Sequence, residues 1–213
     1  VGFVRGLERS LAVSGDPNTA ILFSLGMGEN LEYSSIPMRT SDLVPASVGG
    51  IQERFGQKYV SPELYLGTDI TVGDRDGAMG LVRGVTRPVL LVRRQVEIEA
   101  GDWPSTGEVM VGRMAATKLG VPAAEMQPGQ SIGFDGRTWR ISGIFYAGGS
   151  AFESEVWCRL DELQQAMKRQ DLSLVAVTLS PGADFTDLSL FCKERLDLEL
   201  QAMQETEYYA SLQ

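Results

Sequence analysis

Between residues 60 and 72 the side chains alternate, with Leu64, Leu66, Thr68 and Ile70 on one side of an extended chain. Period-two alternation of this kind predicts a half-buried strand. A second strand is predicted over residues 78–85, after the turn signal Asp76-Gly77. Upstream, Val4, Leu7 and Leu11 recur at helical spacing and Gly15 stands where that helix would stop, glycine being suited to the position just past a helix end. Residues 18–25 are dense in apolar side chains and read as a strand. Residues 41–46 read as a short helix, weakened by Pro45 and by Gly49-Gly50. Thr86 is placed to cap a short helix running to Arg93, with Pro88 tolerated in its first turn.

From residue 95 to residue 149 the texture changes to short strands, turns and glycines, with one short helix over residues 113–119 closed by Gly120. Asp135-Gly136 is a hairpin signal, because both residues tolerate positive φ. A two-residue turn there pairs Phe134 with Arg137 and Ile132 with Trp139. In that register Ile132, Phe134, Trp139, Ile141 and Phe145 fall on one face, so Trp139 reads as core.

Beyond Gly148-Gly149 the pattern alternates again. A strand is predicted over residues 154–158, a helix over 161–169 with Leu160, Leu163 and Met167 on one stripe, and a buried strand over 173–179. A helix over 184–196 and a final strand carrying Leu198, Leu200 and Ala202 complete a β-α-β-α-β run, whose connections should be right-handed if the strands are parallel neighbours. The predicted class is α+β: a discontinuous α/β unit of residues 1–94 and 150–213, interrupted by a small β-rich unit of residues 95–149.

Composition narrows the chemistry. Across 213 residues, 28 acidic against 19 basic side chains give a net charge of -9, which repels phosphate backbones and makes nucleic acid an unsuitable partner. No histidine is present, so His-based triads and His-rich zinc sites are excluded. Glu153 and Glu155 are the best candidates for paired-carboxylate chemistry, two apart where a strand should begin; the plainer reading is a solvated strand edge. The lysines Lys58, Lys118, Lys168 and Lys193 lie outside any phosphate-loop frame. Gly26-Met27-Gly28 imitates the start of a dinucleotide fingerprint, but Leu31 stands at the third glycine, so these glycines read as a turn. Asp74-Arg75-Asp76-Gly77 lacks the charge count of a calcium loop and also reads as a turn. Cys158 and Cys192 are too few and too far apart for a disulfide framework or a metal motif and read as small buried side chains. No run of about 18 apolar residues is present to span a membrane. With no initiator Met and no signal-peptide pattern, the chain reads as an excised piece.

Four segments, in order, carry a family resemblance. They are AILFSLGMGENLEYSS at residues 20–35, GEVMVG at 107–112 followed by Lys118-Leu119-Gly120 and Pro128-Gly129, WRISGIFYAGGSAFESEVW at 139–157, and ETEYYAS at 205–211. Together they resemble the extracytoplasmic domain of ABC-transporter permeases of the MacB/FtsX-like type. The resemblance implies a porter-like subdomain split by a small inserted one, lying between two membrane helices of a cell-membrane protein, and periplasmic if the source has two membranes. It implies coupling of ATP-driven helix motion to export or transfer of a substrate. The alternative is an interaction module that regulates an extracytoplasmic partner such as a cell-wall hydrolase. Implied partners are a second permease copy or paralogue, an ABC ATPase subunit reached through the membrane part, and an extracytoplasmic adaptor or substrate protein. No catalytic residue, cofactor or metal is expected here, with ATP hydrolysed on a separate domain or subunit. It further implies that the first helix and the Tyr208-Tyr209 region lie at one pole, the tyrosines facing the membrane interface.

Overall fold

The computed structural model describes residues 2–28 and 30–213. Helix α1 (Gly2–Ala12) leads into strand β1 (Thr19–Ser24), the short strand β2 (Ile36–Pro37) and helix α2 (Thr40–Ser47). The paired strands β3 (Glu53–Arg54) and β4 (Gln57–Lys58) precede the long β5 (Val60–Ile70), which turns back into β6 (Ala78–Val85). Then come α3 (Val89–Val92), β7 (Glu97–Gly101), β8 (Glu108–Gly112), α4 (Ala115–Leu119), β9 (Ser131–Phe134) and β10 (Arg137–Tyr146). The last third holds β11 (Val156–Arg159), α5 (Leu160–Ala166), β12 (Asp171–Leu172), β13 (Leu174–Thr178), α6 (Thr186–Glu194), β14 (Leu200–Gln204) and α7 (Glu205–Ser211).

Among the described residues, one mixed sheet runs in the order β14-β1-β13-β5-β6-β11-β8-β10-β7, with β9 also paired to β10. Strand β5 serves two neighbourhoods. Its first part, Val60 to Glu63, pairs with β13, and its second, Leu64 to Ile70, pairs with β6. At the far end of β5, Thr71 and Gly133 exchange backbone hydrogen bonds of 2.8 Å each. That exchange closes β5, β6, β11, β8, β10 and β9 into a ring.

The ring interior is apolar, as inward-facing side chains of a closed small sheet must be. Trp139, Ile141, Ile132, Val109, Val82 and Leu66 meet there within the larger of two buried clusters. The hairpin register is as predicted, Phe134 opposite Arg137 and Ile132 opposite Trp139. The Phe134 and Trp139 rings stack at 4.7 Å between centroids. Phe145 departs from the prediction. The register between β10 and β8 slips between Ile141 and Gly143, and a bulge of one residue exchanges the two faces of everything after it. Phe145 therefore lies in the second cluster, 4.7 Å from the ring of Trp157, and Ile144 packs on the side where Phe145 was expected.

Strands β1 and β13 are buried on both faces. Ala20, Leu22, Val175 and Val177 join the first cluster, beneath α2, α5 and α6, whereas Ile21, Phe23, Leu174 and Ala176 join the second, beneath α3 and α7. Burial on both sides accounts for their unbroken apolar runs. β13 and β14 do not neighbour each other, because β1 runs antiparallel between them. The final strand starts at Leu200: Leu198 sits in a 3-10 turn, and the backbone reverses at Glu199 with φ 51°. Thr86 does not cap α3; its carbonyl receives the Val89 N–H, while its hydroxyl has no partner. Gly112, at the end of β8, lies so close to the 3-10 turn of residues 151–154 that a Cβ would fall 2.0 Å from the Glu153 carbonyl oxygen.

Candidate functional site

The first and last helices of the chain lie together. α1 packs against α7, and Gly15 lets the backbone after α1 approach Thr206 so closely that a Cβ would stand 2.9 Å from its amide nitrogen. Ser14 ties this junction to the sheet, its hydroxyl accepting the Ala151 N–H at 2.8 Å and donating to the Ser10 carbonyl at 2.6 Å. Val4 and Leu7 on α1 remain more than half exposed. Between α1, α7 and the sheet lies a crevice of about 210 Å³ lined by Leu7, Leu11, Leu212 and both tyrosines. The juxtaposition of Leu7 and Tyr208 is thus as expected. The outward-facing tyrosines are not: Tyr208 and Tyr209 are buried, stacked edge-on against each other and against Phe23 and Phe152. Their rings fill the space under α7.

Beneath α7, five fully buried charged residues form one network. Arg83 on β6 makes a two-pronged pair with Glu155 at 2.7 and 2.9 Å and reaches Glu63 on β5 at 2.7 Å. Arg93, just past α3, donates twice to Glu63 at 3.1 and 2.9 Å and once more to Glu205, the first residue of α7. The Trp157 indole donates to Glu155 at 2.8 Å and the Ser61 hydroxyl to Glu63 at 2.8 Å. Phe152 lies against both guanidiniums, at 4.5 and 5.2 Å, and Tyr65 against Arg83 at 4.4 Å. Such charges are tolerated inside a protein only when each is paired and hydrogen-bonded.

Three carboxylates share two guanidiniums, and they do not share equally. Burial opposes ionisation of Glu63, but Arg93 and Arg83 together outweigh it and hold its carboxyl below the ordinary value. At Glu205 burial wins over the single guanidinium of Arg93, aided by repulsion from Glu63, and its carboxyl titrates above the ordinary value. Burial also opposes the charge on Arg93, but Glu205 and Glu63 more than restore it. The network is a clamp: it fastens the start of α7 to β5, β6 and β11 through directional bonds.

The candidates of the sequence fall into place around it. Glu153 and Glu155 are not a solvated edge. Both are buried, Glu155 in the network and Glu153 accepting the Ala147 N–H at 3.0 Å, so neither is free for acid-base work. Glu63, Arg83, Arg93 and Glu205 were not singled out. The available signal was charge set inside apolar runs, as in VSPELYLG and GLVRGV. Gly26 and Gly28 take positive φ in a turn, and Asp74 to Gly77 lie in the turn joining β5 and β6. Cys158 and Cys192 are buried free thiols. Burial pushes the Cys158 thiol far up and that of Cys192 to about 11. Among the described residues no cluster of three or more His, Cys, Asp or Glu could hold a metal ion, and no helix is long and apolar enough to cross a membrane.

The sequence profile of the MacB-like periplasmic core domain matches residues 2–189. The fold is similar to the periplasmic region of MacB from Actinobacillus actinomycetemcomitans, with a TM-score of 0.68 and 13% identity over 98% of this chain and 95% of that one. It is also similar to the extracellular domain of the noncanonic ABC-type transporter YknZ from Gram-positive bacteria, with a TM-score of 0.65 and 14% identity over 87% and 100%. A domain of a putative permease protein from Porphyromonas gingivalis matches with a TM-score of 0.57 and 13% identity over 87% and 88%. No curated protein matches the sequence at a significant level.

Proposed function

The chain belongs to the family of MacB-like periplasmic core domains, the extracytoplasmic domains of ABC-transporter permeases, and from that premise we propose that it converts ATP-driven motion of membrane helices into a change of shape outside the membrane. The observation that supports this reading is the α1–α7 junction with the clamp beneath it. Two membrane helices continuing α1 and α7 would deliver their motion to one pole, and the bonds from Glu205 through Arg93 to Glu63 would carry it to the centre of the sheet. ATP would be bound and hydrolysed on a separate domain or subunit, since no phosphate loop is present in this sequence. The partners would be a second permease copy or paralogue, an ATPase subunit, and an extracytoplasmic adaptor or substrate protein.

Spin labels at exposed positions of this domain, in the intact permease with its ATPase in a bilayer, test the reading. ATP should change the label-to-label distances between two copies, and Arg93→Met should abolish that change while ATP hydrolysis continues. Distances unaffected by ATP in the parent protein would overturn it. We further propose that residues 1–94 with 150–213 are the porter-like unit and residues 95–149 an insertion. Joining Arg94 to Ser150 should leave a cooperatively unfolding remainder, less stable because β11 loses its pairing with β8. A remainder with no cooperative transition would refute the division.

A further inference from the structure

A cleft of about 730 Å³ lies between the loop after β7 and the β6 and β11 ends with α5. Its volume lies in the ordinary range for ligand sites, roughly 300–1,000 Å³. Arg159 and Glu162 hold the loop to the body: Arg159 donates to the Thr106 hydroxyl at 3.3 Å, and Glu162, beside the cleft, accepts the Gly107 N–H at 2.8 Å. Asp161 is occupied by Arg159 at 2.9 Å. Arg87 is different. Among the described residues it is the cavity-lining arginine with no carboxylate partner; its guanidinium lies over the Trp103 ring at 5.4 Å. The Trp103 indole N–H on the same wall has no hydrogen-bond partner among the described residues.

We propose that this cleft binds a polypeptide segment through a carboxylate, held by Arg87 and Trp103. Arg87 and the Trp103 indole are donors only, so the ligand group they hold is an acceptor. Asp161 is engaged by Arg159, which leaves the charge of Arg87 unmatched by a carboxylate on the lining, within a chain of net charge -9. A single negative charge is therefore matched, whereas a doubly charged phosphate would meet the Asp161 carboxylate. A guanidinium over an aromatic ring keeps N–H groups for a ligand, and its planar fork is suited to a two-pronged bond with a carboxylate. Met38, Val85, Pro104 and Leu160 supply apolar wall for the rest of a peptide chain. The binding does not depend on the coupling reading, and either can fail alone.

The test follows the three indole N–H resonances of the 213-residue chain by NMR, with Trp103 identified by Trp103→Phe. The probes are N-acetyl-tetra-alanine with a free C-terminal carboxylate, the same peptide as its amide, sodium acetate and sodium phosphate. The free acid should shift the Trp103 signal saturably while the buried Trp139 and Trp157 signals stay in place. Arg87→Gln should weaken this binding at least tenfold, and Arg87→Lys should weaken it less. Equal binding of acid and amide, or undiminished binding by Arg87→Gln, would overturn the carboxylate site. Acetate or phosphate binding as tightly as the peptide would overturn the peptide assignment.

Discussion

The ring of strands and the face under α7 fill comparable space with opposite chemistry. In the ring, Phe134 stacks on Trp139 amid aliphatic neighbours, and beyond the Trp139 indole N–H donating to the Phe134 carbonyl at 3.4 Å the packing is apolar. Under α7, two arginines and three glutamates are buried as completely. Apolar filling tolerates small errors of shape, because neighbours can shift and a swap of similar volume costs little. A buried ion network does not, since removing one member strands the others in a medium that cannot solvate them. The difference suits their places: the ring is supported on all sides by ladder hydrogen bonds, whereas α7 is held at the edge of the molecule and needs bonds that fix its direction.

The contrast is sharpest in mutants. Arg83→Met should lower the free energy of unfolding by about 3–5 kcal/mol, read from urea midpoints, because Glu63 and Glu155 both lose a partner. Gly112→Ala, which forces a methyl against the Glu153 carbonyl where the ring meets the rest of the sheet, should cost about 1–3 kcal/mol. Phe134→Leu should cost only about 1 kcal/mol, since the ring interior can close around it. If Phe134→Leu proves as damaging as Arg83→Met, the comparison breaks. A subtler effect lies in pH. Glu205 titrates above its unfolded value near 4.5, so the stability that its protonated form contributes is present below about that pH and fades as pH rises through the folded value. The stability of the parent relative to Glu205→Gln should therefore decline from about pH 4.5 upward; a difference that grows with pH would contradict this assignment. Smallest of all, Cys158 and Cys192 should react with a thiol reagent at pH 8 only after unfolding, because burial raises both thiols. Rapid modification of the native chain would show that the core opens there.

What could be read in advance follows the same division. Periodicity located β5, β6 and the β9–β10 hairpin, and the Asp135-Gly136 turn set its register, because these features are local. The ring closure was not legible, since it rests on Thr71 meeting Gly133, residues distant in sequence with no distinctive side chains. The bulge in β10 also left no mark, so Phe145 was assigned to the wrong face. The clamp was overlooked for a different reason. A glutamate in a strand ordinarily reads as exposed, and only the three-dimensional meeting of Glu63, Glu155 and Glu205 with two arginines makes burial affordable. Tyr208 and Tyr209 misled by composition: aromatic residues near a chain end suit a membrane interface, yet here they serve as filling.

Strand β5 has a mechanical consequence. Its eleven residues, at about 3.3 Å each, make an unbroken bar ~36 Å long, joined to β13 along one part and to β6 along the other. Prising the two halves apart would mean shearing several ladder bonds at once within a single continuous backbone. Under the coupling proposed above, a load applied at the α1–α7 pole would be relayed as a tilt of this bar, with the strand ring swinging at its far end like the tip of a lever.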